Sequence, residues 1–152
     1  MAGDLIFHTS KSRQSEALQL ATNSPYSHMG VVFLRDGEPT VLEAVGPVRY
    51  TPFDEWVERG LDGRYVVKRL RDSQDLLTPE AVGNLQIAGE QYMGAAYDIY
   101  FEWSDDRIYC SELAWKAYKE VLNLEIGSLE TFGEFDLSNP LVQAALKERF
   151  GL

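Results

Sequence analysis

Apolar residues recur along this chain with two different periods, and the switches between them mark out the elements. Asp4 to His8, DLIFH, reads as a short strand, and Ser12 to Thr22, rich in helix formers, as a short helix. Asn23-Ser24-Pro25 ends that helix, because proline disfavours the helical region for the residue before it. His28 to Leu34, HMGVVFL, is a β-rich run. Asp36-Gly37 then separates it from Thr40 to Val45, TVLEAV, and Asp-Gly between two apolar runs is a hairpin signal. Gly46-Pro47 breaks the return strand, and Val48 to Tyr50 resumes the sheet. Pro52 to Gly60 reads as a short helix or turn carrying Trp56, and Tyr65 to Leu70 as a further strand.

The second half is helical. Thr78-Pro79 supplies an N-cap and a first-turn proline. Val82, Leu85, Ala88 and Tyr92 form the apolar stripe that follows, with Gly94 just past its end. From Tyr109 to Leu122, Cys110, Leu113, Ala114, Ala117, Tyr118 and Val121 fall on one helical face. Asn139-Pro140 caps a last helix running toward Arg149. Strands and helices mix without regular βαβ alternation, so the expected class is α+β, and residues 1–152 are expected to form one domain.

Composition narrows the function classes. Fourteen basic residues stand against 24 acidic ones, a net charge of −10, which argues against nucleic acid and anionic membranes as general partners. No stretch approaches the roughly 18 apolar residues of a membrane span. The segment Met1 to Asp4 lacks the features of a secretory signal, so the expectation is a cytoplasmic chain, or a periplasmic or cell-surface one if the chain is a processed form. A single cysteine, Cys110, excludes an internal disulfide framework and any multi-cysteine metal site.

Cys110 sits in the first turn of its helix, where unsatisfied backbone N–H groups and the helix dipole favour thiolate. It is either a nucleophile or, as the first member of an apolar stripe, a small buried hydrophobe. His28 begins a strand, a good place for a rigidly held base, or for a structural histidine bonded to a loop carbonyl. Glu43 interrupts an apolar strand. A two-residue turn at Asp36-Gly37 pairs Gly30 with Glu43 and His28 with Val45, which puts His28 and Glu43 on one face as diagonal neighbours about 7–8 Å apart. There Glu43 orients the imidazole, as in triads generally, or simply faces solvent. His8, His28 and Glu43 lack any local metal-binding spacing, and no metal or other cofactor is expected. Ser27 lacks the surroundings of a nucleophile elbow. Tyr97 is an oxyanion donor or a core aromatic. Trp56, Trp103 and Trp115 read as core or cleft lining, and Lys68, Arg69 and Arg71 as a solvated strand edge.

The segments GDLIFHTSKSRQSEALQLATNSPYSHMGVVF, TVLEAVGPVRYTPFDEW, YMGAAYD, WSDDRIYCSELAW and EFDLSNPLVQAALKERFG, in this order, resemble the permuted NlpC-type papain-fold cysteine hydrolases, most closely the YiiX-like group. The resemblance implies a circularly permuted papain-like fold, an antiparallel sheet packed against helices with the nucleophile at a helix N-terminus. It implies Cys110 as nucleophile, His28 as base and Glu43 as third residue, with Tyr97 and Tyr109 as oxyanion or substrate-binding residues. Tyr109-Cys110-Ser111-Glu112 replaces the Asp-Cys-Ser-Gly signature of non-permuted relatives, as in the YiiX-like branch. The expected chemistry is cysteine-dependent cleavage of an amide in a cell-wall peptide fragment or N-acyl compound. The alternatives are a lipid acyltransferase or esterase of the lecithin–retinol type, or a non-catalytic binding module. The partner is thus a small-molecule, peptide or acyl-lipid substrate. An apolar tunnel would favour acyl chains; arginines such as Arg49 or Arg107 in the cleft would favour peptides.

Overall fold

The structure, a computed structural model, describes residues 1–151. Five strands form one antiparallel sheet: β1 (Leu5–His8), β2 (His28–Arg35), β3 (Glu38–Ala44), β4 (Val48–Pro52) and β5 (Val66–Lys68), in the order β4-β3-β2-β1-β5. The helices are α1 (Arg13–Thr22), α2 (Phe53–Glu58), α3 (Ser73–Leu76), α4 (Pro79–Glu90), α5 (Cys110–Leu122) and α6 (Pro140–Phe150). Two residues each of β6 (Ala96–Tyr97) and β7 (Arg107–Ile108) pair in parallel just before α5.

The β2–β3 hairpin fixes the register. Asp36 (φ +52°) and Gly37 (φ +82°) form its two-residue turn, the left-handed pair that suits twisted strands. Val31 pairs with Leu42 and Arg35 with Glu38, the register expected from the Asp-Gly turn. Alternation then divides the side chains between two faces. Val31, Phe33, Leu42 and Ala44 meet Leu85 and Ala88 of α4 and Leu113, Ala114, Ala117 and Tyr118 of α5. On the other face Ile6, Val32 and Val41 pack around Trp56 of α2. Gly30 is required where the strands cross: a Cβ there would lie 2.4 Å from Val41 Cγ1 and 2.8 Å from the Leu42 carbonyl oxygen.

Two expectations are corrected. The strand over Tyr65 to Leu70 shrinks to the exposed edge strand β5. The basic run beyond it is not uniformly solvated, because Arg69 forks onto the buried Asp4 carboxylate with two 2.7 Å hydrogen bonds. The short elements α3, β6 and β7 leave no periodic trace in the sequence. Among the described residues no helix is long and apolar enough to cross a membrane.

Candidate functional site

Cys110 is the first residue of α5, with Tyr109 as extended N-cap. The Glu112 carboxylate reaches back to the Tyr109 N–H at 3.3 Å and fixes the entry to the helix. Packing of α5 on β2 and β3 brings Cys110 against His28, the first residue of β2. Ser27 anchors this strand start: its N–H donates to the His8 carbonyl at 3.1 Å, and its hydroxyl meets the Ser10 N–H at 2.8 Å and the Ser15 hydroxyl at 2.7 Å. Ser27 is thus a tie for the loop before His28.

The solvent-facing alternative for Glu43 is overturned. Its side chain has no exposed surface, and four groups donate to it. His28 Nε2 lies 2.6 Å from Oε2, Trp56 Nε1 2.9 Å from Oε2, and the Thr51 hydroxyl 2.6 Å from Oε1; the Arg59 guanidinium also bonds Oε1. A buried carboxylate persists because such partners replace its hydration. Thr51 and Arg59 were not singled out from sequence. The register held a signal for Thr51, which pairs with Val41 and so shares a sheet face with Glu43. Trp56 is both core and a Glu43 donor.

These contacts set the charges. Burial opposes a charged His28, but hydrogen bonding and attraction to Cys110 and Glu43 outweigh it and raise its pKa to about 9. Burial likewise opposes a Cys110 thiolate. His28 and the backbone N–H groups of Met29 and Ser111 overcome that and lower its pKa. Glu43 is lowered against the cost of burial, chiefly by His28. The arrangement therefore favours a thiolate beside an imidazolium, with a carboxylate behind it.

Tyr97, on β6, and Tyr109 both line the cavity that contains Cys110. Burial, then the charge of Cys110, pushes the Tyr97 phenol well above its usual range; burial, then Glu112, pushes Tyr109 up to about 12. Both are hydrogen-bond donors at neutral pH. Trp103 and Trp115 meet edge-to-face at 5.1 Å in the same wall. Arg49 lies against Glu55 at 3.6 Å, and neither Arg49 nor Arg107 lines the cavity. His8, opposite His28 in the β1–β2 register, lies 5.4 Å from it ring to ring and stacks on Trp56 at 4.0 Å.

The sequence matches over residues 1–152 the family of permuted papain-like amidases, YaeF/YiiX, C92. The chain belongs to this family. It is 48% identical to the YiiX protein of Escherichia coli strain K12 over 149 residues, 98% of this chain and 72% of that one. A solved structure described as metalloprotein yiiX from Escherichia coli O157:H7 superposes with a TM-score of 0.95 at 50% identity, covering 99% of this chain and 82% of that one. The permuted papain-like fold and the general class of cysteine hydrolase follow from the family.

A metal does not fit this site. Glu43 already accepts from four donors, one of them His28 Nε2. Among the described residues no three His, Cys, Asp or Glu side chains are placed to share an ion.

Proposed function

We propose that this chain is a cysteine amidase in which Cys110, His28 and Glu43 act as nucleophile, base and orienting carboxylate. The observation that carries the reading is His28 held between a buried, fully bonded Glu43 and the thiol at the α5 N-terminus. Nε2 is committed to Glu43, which leaves Nδ1 for the sulfur. The Cys110 thiolate attacks the amide carbonyl carbon, forming the C–S bond. Backbone N–H groups at the helix start, with the Tyr97 hydroxyl, stabilise the oxyanion. The C–N bond breaks as the imidazolium proton passes to the departing amine. Water then attacks the thioester while His28 takes its proton, the C–S bond breaks, and the acid leaves. Amide and water become amine and carboxylic acid, and the enzyme is restored.

The family's description as amidases supports C–N cleavage over acyl transfer between lipids, and an assembled Cys–His–Glu array gives a pure binding module no advantage. The direct test is to trap the acyl-enzyme. A chromogenic acyl anilide mixed with protein and quenched in acid should leave one acyl group on Cys110, released by hydroxylamine. His28→Ala should lower the rate of acylation about 10²–10⁴-fold, the usual range for losing a general base. An unmodified Cys110 in active wild-type protein would refute the thioester route.

A further inference from the structure

His8 takes no part in the steps above, yet it is buried beside them with 2% of its surface exposed. It ends β1 directly opposite His28. Its ring stacks on the Trp56 indole, with 4.0 Å between centroids and 27° between planes. Its Nδ1 is buried and, among the described residues, has no hydrogen-bond partner. An unpaired buried nitrogen is a cost that an apolar ring at this position would not carry. The ring instead makes its contact through its flat face.

Trp56 depends on that face. It lies on α2, a helix of six residues with no side-chain hydrogen bond at its N-cap, too short to be rigid by itself. Its Nε1 donates at 2.9 Å to Glu43 Oε2, the same oxygen that His28 Nε2 meets at 2.6 Å. A rotated indole would withdraw its donor from the oxygen that orients His28. Gly60 closes over the edge of His8 that carries Nδ1: a Cβ on Gly60 would lie 3.1 Å from that nitrogen and 3.2 Å from His8 Cβ. The same segment is tied down on both sides, by Leu61 N–H donating to the Thr9 carbonyl at 2.8 Å and by Arg59 bonding Glu43. Burial, then the charges of His28 and Arg59, lowers the pKa of His8 to about 4 against the opposing pull of Glu43. A neutral ring can therefore sit 5.4 Å from the His28 imidazolium without opposing its charge.

We infer that His8 is a positioning residue for the reaction: its flat ring holds the Trp56 indole in the plane that keeps Nε1 on Glu43 Oε2, and so keeps that carboxylate aligned behind His28. The inference rests on the Cys110–His28–Glu43 reading and adds a fourth residue to it. His8 acts through Trp56 and does not touch the reacting atoms. Its role is one of shape, so a phenyl ring can fill it and a branched aliphatic side chain of similar bulk cannot.

The test compares His8→Phe and His8→Leu with wild type by two NMR readouts. One is hydrogen exchange of the Trp56 indole N–H, its signal identified by its loss in Trp56→Phe. The other is the titration of the His28 ring. The chain has only two histidines, so in both His8 variants the remaining ring signal is that of His28. His8→Phe should keep the indole N–H protected and the His28 pKa near its raised value of about 9. His8→Leu should speed the exchange about tenfold and bring the His28 pKa down by about one unit, a tenfold change in proton affinity. Should His8→Leu fail to fold, Gly60→Ala decides, since its methyl presses on His8 and should shift both readouts the same way. A His28 pKa unchanged in His8→Leu overturns the inference, whether or not the indole N–H exchanges faster, and leaves the catalytic reading intact. Equal loss in His8→Phe and His8→Leu also overturns it, because a nitrogen and not the plane would then carry the role. If Cys110 of wild type forms no acyl-enzyme, the catalytic reading fails by itself. The two NMR readouts still decide whether His8 positions Trp56, Glu43 and His28.

Discussion

Glu43 governs the site at the scale of single residues. Two oxygens accept from four side chains on β2, β4, α2 and the turn after it, so the carboxylate is both a structural hub and the orienter of His28. Glu43→Gln keeps the shape but turns one oxygen into a donor facing donors. Urea denaturation should show a loss of about 3–5 kcal/mol, the cost of breaking a buried ionic cluster. Trp56→Phe keeps the ring against His8 and removes one hydrogen bond to the carboxylate, so a loss of about 1.5–3 kcal/mol is expected in the same assay. The pH dependence has a worked sign. Burial first, then the charges of His28 and Arg59, lowers the pKa of His8 to about 4. The unfolded chain takes up that proton near pH 6.5, before the folded one does, so His8 makes stability fall as pH drops from about 6.5 toward 4. His28 works oppositely: its contribution is complete below its unfolded value near 6.5 and is lost as pH rises through about 9. In denaturation at pH 7 and 5, His8→Phe should flatten the loss seen in wild type. An unchanged slope would mean that His8 does not titrate as described. At this scale sequence reached His28, Glu43 and Cys110, because a Glu inside an apolar strand and a Cys opening a helix are local anomalies. It did not reach Arg59, whose importance depends on the turn after α2 folding back onto the sheet.

At the scale of elements, the β2–β3 hairpin and α5 carry the site, and both were legible. Asp36-Gly37 determines the turn, the turn determines the register, and the register puts His28 and Glu43 on one face. The α5 stripe follows from 3.6-residue periodicity, and the same periodicity places Cys110 at the helix start. Gly30 is the point where this geometry tolerates no side chain, since an added Cβ meets Val41 and the Leu42 carbonyl. Gly30→Ala should therefore lower thermal stability and cleavage activity together by pushing β3, and Glu43 with it, away from β2. Retention of both would show that the hairpin yields more easily than the contacts imply. Short α3, β6 and β7 were not legible because they arise from neighbours packing around them. Two-residue strands have no period to read.

At the scale of the whole molecule, chain order and spatial order are uncoupled. His28 precedes Cys110 by most of the chain, yet packing of α5 across β2 and β3 brings them together. The family's papain-like site survives circular permutation for this reason: it depends on which faces pack, whatever the order of synthesis. The cavity beside Cys110 belongs to this scale as well. Its walls combine α1, α5, α6 and the connection before α6. No local pattern announces a cavity made of half-buried alanines and leucines on helices separated by more than 100 residues. Apolar stripes on such helices read as core from sequence, and only tertiary packing shows that the stripes face a cavity.

The central claim is the thiolate–imidazolium pair, and the pH dependence of Cys110 alkylation by iodoacetamide tests it most directly. Wild-type protein should react with an apparent pKa clearly below 8.5, the value of a free thiol, and His28→Ala should return it to that value or above. A wild-type Cys110 that titrates as an ordinary thiol, or stays inert until the chain unfolds, would contradict the pair and the mechanism built on it.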